Sequence, residues 1–123
     1  MNDESDKDLR VRTKSFALRI IKLFSSLPKT NGAQVMGKQV LRSGTSVGAH
    51  YREACRARST AEFISKIEGG LQELEETVYW LELLTESNTV KEERLKPLLQ
   101  EADELIAILV ASVKKAKARL LKK

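Results

Sequence analysis

Apolar residues recur at intervals of three and four through four long segments of this 123-residue sequence, and this pattern constrains the fold more than any other feature. On a wheel of 100° per residue, such residues share one side of an α-helix. Amphipathic helices joined by short connections bury these sides against antiparallel neighbours. We therefore predict an all-α, antiparallel up-down-up-down four-helix bundle, a single domain over residues 1–123, with helices at about 8–27, 33–57, 60–87 and 90–121.

The third segment shows the pattern most clearly. It begins at Ser59-Thr60-Ala61-Glu62, a capping box in which the serine and glutamate side chains bond free backbone amides, and Asn88 marks its predicted end. The wheel places these residues on its inward side: Phe63, Ile67, Leu71, Leu74, Val78, Leu81 and Thr85. In the second segment, the inward arc includes Tyr51, Ala54 and Cys55.

Two further signals shape the predicted helices. The middle of the second segment is rich in small residues, which allow a neighbouring helix to approach closely: Ser43, Gly44, Thr45, Ser46, Gly48 and Ala49. Thr89 to Glu92 repeats the capping-box pattern, and Pro97 indicates a short opening turn before the main fourth helix.

Positive charge is concentrated in two places, within a net charge of +5. The second helix carries Lys38, Arg42, Arg52 and Arg56 within an arc of about 80°, spread over about 27 Å. The C-terminal segment carries Lys114, Lys115, Lys117 and Arg119. Cations spaced along a rigid helix suit the phosphates of RNA or DNA, so we predict that these eight residues bind nucleic acid.

Each basic set also has a structural interpretation. The second-helix set could meet an acidic arc of the third helix across subunits and fix their register, and that arc contains Glu68, Glu75, Glu82 and Glu86. The C-terminal set could complement the helix dipole, since acids lie toward the start of the same segment. Salt dependence separates the two interpretations of the second-helix set. About four phosphate contacts on duplex DNA predict a slope near −3.6 when the logarithm of the binding constant is plotted against the logarithm of the salt concentration.

The end of the third helix is apolar nearly all round. Four residues lie outside the core arc, namely Tyr79, Trp80, Leu83 and Leu84. One bundle has too few neighbouring helices to cover them, so we predict a subunit interface of a homo-oligomer there. The alternative is that the connection over 87–96 folds back over Trp80.

Residues for catalysis or metal binding are missing from the pattern. His50 and Cys55 lie about 140° apart on one helix, and no inward Glu-x-x-His pair is present. We therefore expect no enzyme activity, no cofactor, no metal and no small-molecule substrate. The aromatic residues other than Tyr79 and Trp80 fall on core arcs, so we expect no exposed ring for base stacking.

The location expected from the sequence is cytoplasmic, without membrane contact. The first eight residues are polar and lack the apolar stretch of a secretory signal. No run of eighteen apolar residues is present. The single cysteine, Cys55, permits no internal disulfide and suits a reducing compartment.

Residues 39–84 carry a family resemblance. Its motifs are Arg42-Ser43-Gly44-Thr45-Ser46-Val47, Glu53-Ala54, Ser59 with Phe63, and Glu76-Thr77-Val78-Tyr79-Trp80-Leu81. On these residues the chain resembles the four-helix-bundle proteins encoded within intervening sequences of bacterial 23S ribosomal RNA genes. It departs from the family pattern at His50-Tyr51, where an asparagine and an aliphatic residue are usual. Gly69-Gly70 likewise replaces a typical small pair without glycine.

The resemblance implies a homopentameric, barrel-like assembly with no known enzymatic activity, in a nucleic-acid context. A similar bundle serves as the accessory protein of diversity-generating retroelements, where a basic pentamer associates with reverse transcriptase and nucleic acid. We therefore expect a non-catalytic oligomeric bundle that binds RNA or DNA. The alternative is a protein-interaction scaffold or accessory subunit, for example to a reverse transcriptase, with no direct nucleic-acid contact.

Overall fold

A computed structural model describes residues 3–122, and nearly all of them belong to four α-helices. These are α1 (Asp3–Ser25), α2 (Asn31–Cys55), α3 (Thr60–Glu86) and α4 (Glu92–Leu121), with no strand in the described range. The predicted number, order and class of elements are confirmed. The first helix begins earlier than predicted, which fits the acidic residues in its opening turns, because carboxylates stabilise the positive end of a helix dipole.

Both ends of α3 follow the sequence signals closely. The Ser59 hydroxyl accepts a 3.0 Å hydrogen bond from the Glu62 amide, as a capping box requires. The Glu62 carboxylate reaches back to the amide of Arg58 at 2.9 Å, one residue before the expected partner. Asn88 has a positive φ of 60°, the left-handed conformation that ends many helices.

The start of α4 differs from the prediction. Thr89 does not cap this helix, because its amide donates to the carbonyl of Leu84 at 3.0 Å and so completes the end of α3. Lys91 occupies the cap position without a side-chain hydrogen bond. Pro97 lies inside one continuous helix rather than separating an opening turn from it. Glu92 and Glu93 in the first turn supply favourable charge at this end instead.

Neighbouring helices run antiparallel. In α1 and α2, Thr13 lies against Gly48 and Ile20 against Gly44, so the numbers fall on one helix as they rise on the other. The same order relates α2 to α3, where His50 contacts Gly69 and Ser43 contacts Thr77. Lys117 of α4 pairs with Glu68 of α3, and Arg12 of α1 pairs with Glu101 of α4. One hydrophobic core joins all four helices.

The small residues in the middle of α2 permit close packing, as the sequence predicted. A Cβ at Gly44 would lie 2.8 Å from Cγ1 of Ile20, a fully buried side chain. A Cβ at Gly48 would lie 3.1 Å from the Thr13 hydroxyl. Ser43 faces α3 and accepts a 2.8 Å hydrogen bond from Thr77, so both sides of α2 use small residues at helix contacts.

The inward side of α3 is rotated relative to the prediction. Its buried residues are Ile64, Ile67, Gly70, Leu74, Thr77, Leu81 and Leu84. Phe63, Leu71, Val78 and Thr85 are only half-buried. The helix packs against both α2 and α4, and the buried Thr77–Ser43 contact turns it toward α2. The wheel prediction missed this rotation because Gly70, Thr77 and Leu84 fell outside the arc that it chose.

Cys55 is exposed rather than inward as predicted, and Leu120 near the end of α4 is exposed as well. Cys55 is the last residue of α2, where the core has already ended at Ala54. Leu120 lies four residues beyond the last buried residue of α4, Ala116. Both therefore lie at the end of the bundle, beyond the neighbouring helices that would cover them.

Candidate nucleic-acid interface

The antiparallel order brings the C-termini of α2 and α4 to the same end of the bundle, together with the N-termini of α1 and α3. Part of the α2 basic set and the C-terminal basic set therefore meet there. We call this the basic end, and it consists of Arg52, Arg56, Arg58, Lys115 and Arg119. Lys38 lies about 27 Å from Arg56 along α2, toward the other end.

Some of the predicted contact residues are already paired within the subunit. The Arg42 guanidinium donates to Glu73 at 3.0 Å and also to Glu76. The Lys117 ammonium lies 3.3 Å from a Glu68 carboxylate oxygen. These pairs hold α2 to α3 and α3 to α4, within one chain rather than across subunits.

The remaining predicted cations have no ion pair within residues 3–122, and they are Lys38, Arg52, Arg56, Lys114, Lys115 and Arg119. All six are exposed. Their charges are therefore available to an external polyanion, whereas those of Arg42 and Lys117 are largely engaged.

The four residues predicted for the subunit interface fall into different environments. Tyr79 is 53% exposed and meets the Trp80 ring edge-on at 5.2 Å between centroids. Trp80 and Leu83 are half-buried. Leu84 is fully buried in the core of its own subunit, which corrects its assignment to an outer surface. The rotation of α3 that buries Leu84 leaves Tyr79, Trp80 and Leu83 as the exposed apolar patch.

Trp80 has a hydrogen-bond partner on its own helix. Its indole N–H donates to the Glu76 carboxylate at 3.0 Å, and the same oxygen accepts from Arg42. These two donors hold the pKa of Glu76 below its ordinary value, with the indole hydrogen bond as the larger cause. A single carboxylate thus links the aromatic patch to the engaged arginine of α2.

A second exposed apolar surface lies on α1 and was missed by the sequence analysis. Val11 is 67% exposed and Leu18 is 56% exposed, and their spacing of seven places them on one side of the helix. Ile21 lies nearby on α1 and is 43% exposed. The spacing of seven was visible in the sequence, but the stronger core pattern of α1 obscured it.

Two cavities open at the basic end. The first, of about 540 Å³, lies between α1, α3 and α4, and the second, of about 460 Å³, extends toward the α2–α3 connection. Phe63 and Arg119 line both. Phe63 is half-buried, so the expectation that the phenylalanines leave no accessible ring is wrong at this position. The rotated register of α3 accounts for the difference.

Asp6 connects α1 to the end of α2. Its carboxylate accepts from the Tyr51 hydroxyl at 2.8 Å, from the Cys55 thiol at 3.0 Å and from the Arg10 guanidinium at 3.0 Å. These hydrogen bonds lower the pKa of Asp6, and the one from Cys55 contributes most. Partial burial and the Asp6 carboxylate together raise the pKa of the Cys55 thiol, so this thiol is held in its unreactive form.

His50 lies at a different contact from Cys55. Its Nδ1 is buried against Gly69 without a hydrogen-bond partner, and the nearest carboxylate oxygen, on Glu53, is 3.9 Å away. Across the part of the chain that the structure describes, no group of three or more His, Cys, Asp or Glu side chains could hold a metal ion. None of the helices in residues 3–122 combines the length and the apolar character that crossing a membrane requires.

The geometry defines a small helical bundle with a basic end and two exposed apolar surfaces. The chain belongs to the 23S rRNA-intervening sequence protein family, whose model matches residues 7–111. It is similar to the crystal structure of a protein of unknown function from the S23 ribosomal protein family of Bacteroides thetaiotaomicron. That similarity has 39% sequence identity and a TM-score of 0.81, over 86% of this chain and 98% of the other. Comparison with curated proteins finds no match. The resemblance predicted from the sequence is confirmed.

Proposed function

We propose that this protein is a non-catalytic, oligomeric four-helix bundle that binds RNA or DNA through its basic end and the exposed cations of α2 and α4. The observation that carries the proposal is the convergence of unpaired cations from separate elements. Arg56 and Arg58 lie in the connection that follows α2, Arg119 belongs to α4, and the fold brings these elements to one end. None of the ion pairs within residues 3–122 involves these three residues.

Three of the acids at the same end are already engaged, which leaves more of its cations available. Asp6 binds Arg10, and Glu53 lies 3.7 Å from Lys66. Glu62 accepts from the backbone at the start of α3. A rigid surface with surplus guanidinium groups favours phosphate oxygens, because these groups form charge-assisted and bidentate hydrogen bonds. Recognition of this kind follows the backbone of a nucleic acid rather than its sequence.

The test is binding to ribosomal RNA fragments and to random duplex DNA across a salt series. The double variant Arg52→Gln/Arg56→Gln should weaken binding and reduce the log-log salt slope on duplex by about 1.8, because each lost phosphate contact removes about 0.9. The matched control is Lys22→Gln/Lys29→Gln, which removes the same charge at the opposite end of the bundle. An equal effect of both double variants, or no association at low salt, would overturn the proposal.

A second candidate function is a protein-interaction scaffold or accessory subunit without direct nucleic-acid contact. Two observations favour it. Arg42 is already paired with carboxylates of α3, so its charge serves a contact within the protein. Tyr79 is exposed, as a residue that contacts another protein would be. This function predicts that the purified protein forms its oligomer but binds neither RNA nor DNA at a low salt concentration of about 50 mM.

A further inference from the structure

The two cavities at the basic end are neighbours that share Phe63. This residue lines both, and Arg119 of α4 lines both as well, so we treat them as one candidate site. Ile108 and Ala111 of α4 add apolar surface to the first cavity. At about 540 Å³, this cavity alone falls within the range of roughly 300–1,000 Å³ that small-molecule sites occupy.

Charge is distributed unevenly around this site. Lys115 and Arg119 line the first cavity, and Arg58 lines the second, each without an ion pair in the described range. Two carboxylates also lie at the rim, but each has a cation beside it. Asp6 binds Arg10, and Asp8 lies 4.0 Å from the Arg12 guanidinium, which also pairs with Glu101 and Glu104. Three unpaired cations therefore face one carboxylate that is only partly compensated. The uncompensated charge of the site is therefore positive.

The start of α3 adds to this positive potential. Ser59 and Thr60 line the second cavity beside Arg58, so the positive end of the α3 dipole faces the same space. The capping hydrogen bonds use the amides of Glu62 and Arg58, and the Glu62 carboxylate at this start offsets part of the positive potential. The site thus combines three free cations and a helix start with an accessible aromatic ring.

From this combination we propose that the site binds one nucleotide unit, with the base against Phe63 and the phosphate held by Arg58, Lys115 and Arg119. A phosphate alone would use the cations but not the ring or the apolar wall of α4. A purely apolar ligand would leave the cations unused. The proposal rests partly on the proposed function, because Lys115 and Arg119 belong to both surfaces, but it names a cavity and a ring that backbone binding does not need.

The experiment titrates the full-length protein with adenosine monophosphate, with inorganic phosphate and with a 5′-phosphorylated tetranucleotide, while amide chemical shifts map the contacts. We expect the monophosphate to bind more tightly than phosphate and to shift residues around Phe63 and Arg119. Phe63→Leu should weaken monophosphate binding about tenfold, since base–aromatic stacking is of this order, and leave phosphate binding unchanged. Phe63→Tyr keeps a ring and should retain the affinity.

Arg119 is exposed, so Arg119→Gln tests the site without removing a residue of the core. This variant should bind both the monophosphate and inorganic phosphate more weakly. Lys96→Gln is the matched control, because Lys96 is an exposed cation of α4 that lines neither cavity. Monophosphate binding no tighter than phosphate, or unchanged binding in Arg119→Gln, would overturn the inference. If the tetranucleotide binds more tightly than the monophosphate, the site binds the ends of nucleic-acid strands. If the two affinities are equal, the site binds free nucleotides.

The proposed function and the nucleotide site can be contradicted independently of each other. Arg52→Gln/Arg56→Gln should weaken long RNA or DNA and leave the monophosphate unaffected, because neither residue lines these two cavities. Nucleic-acid binding that persists without any monophosphate binding contradicts the nucleotide site alone. Monophosphate binding without association of long RNA or DNA contradicts the proposed function alone.

Discussion

Glu76 shows how one side chain can connect two helices and an aromatic patch. Its carboxylate accepts from the Trp80 indole on its own helix and from Arg42 on α2. Both donors favour the charged carboxylate, so its pKa is lowered. Trp80 is the only tryptophan in the chain, which makes its fluorescence a specific reporter of this contact.

We predict that Trp80 emission changes with a midpoint below pH 4.5, the ordinary value for glutamate, as Glu76 takes up a proton. A lowered folded-state pKa means that the contact stabilises the fold above the unfolded-state pKa. This contribution is lost as the pH falls through the folded-state value. A fluorescence titration checks the midpoint, and far-UV circular dichroism verifies that the helices persist over the same range.

Glu76→Gln should remove this transition, while Glu75→Gln, an exposed neighbour on α3, should preserve it. The same midpoint in Glu76→Gln would show that another group controls the indole.

At the scale of helices, His50 and Gly69 form one close contact between α2 and α3. His50 lies on Gly69, and a Cβ at position 69 would be 2.9 Å from Nδ1 and 3.0 Å from Cε1 of the imidazole. The ring therefore fits between α2 and α3 because position 69 has no side chain. The neighbouring residue, Tyr51, is used at another contact, where its hydroxyl donates to Asp6 of α1.

We predict that Gly69→Ala is neutral or destabilising by up to about 2 kcal/mol in the native sequence. Alanine gains about 1 kcal/mol over glycine in a helix, but crowding a packed contact costs roughly 1–3 kcal/mol. In a His50→Ala background the crowding is absent, so the same change should stabilise by about 1 kcal/mol. Urea unfolding of all four variants measures the coupling between the two positions. Additive effects would show that the two residues are independent.

The sequence predicted the helices well but not the register of α3. Four residues on the predicted arc, among them Phe63 and Leu71, are half-buried, whereas Thr77 and Leu84 are fully buried. A helix with two neighbours has an inward arc wide enough for several phases, and apolar counting does not choose among them. The choice depends on which small and polar residues meet across the contact, such as Ser43 and Thr77, and this information lies in two helices at once.

Only part of the candidate site could be predicted from the sequence. The cations of α2 and α4 were identifiable from the wheel, and an up-down order already implies that the two C-termini share an end. Arg58 and the cavity around Phe63 were not predicted, because one lies in a connection and the other depends on the rotation of α3. The engagement of Arg42 by Glu73 and Glu76 depends on the axial register of α2 and α3, which no single-helix pattern contains.

For the whole molecule, the two exposed apolar surfaces make competing predictions about assembly. The α3 patch has Tyr79, Trp80 and Leu83, and the α1 surface has Val11 and Leu18. We predict an oligomer that assembles through the α3 patch, because aromatic residues such as Tyr79 and Trp80 are enriched at interfaces. Light scattering should therefore report a multiple of the 13.8 kDa chain mass, five times this mass if the family expectation of a pentamer holds.

Tyr79→Glu and Leu18→Glu place the same charge at apolar positions of similar exposure on different helices. If the α3 patch forms the interface, Tyr79→Glu should lower the measured mass toward one chain, because burying an unpaired carboxylate opposes association. Leu18→Glu should leave the mass unchanged. The reverse pattern would move the interface to α1, and a single-chain mass for the native protein would contradict assembly altogether. Since both substitutions lie outside the basic end, measuring the salt slope of each variant also shows whether nucleic-acid binding requires the assembled form.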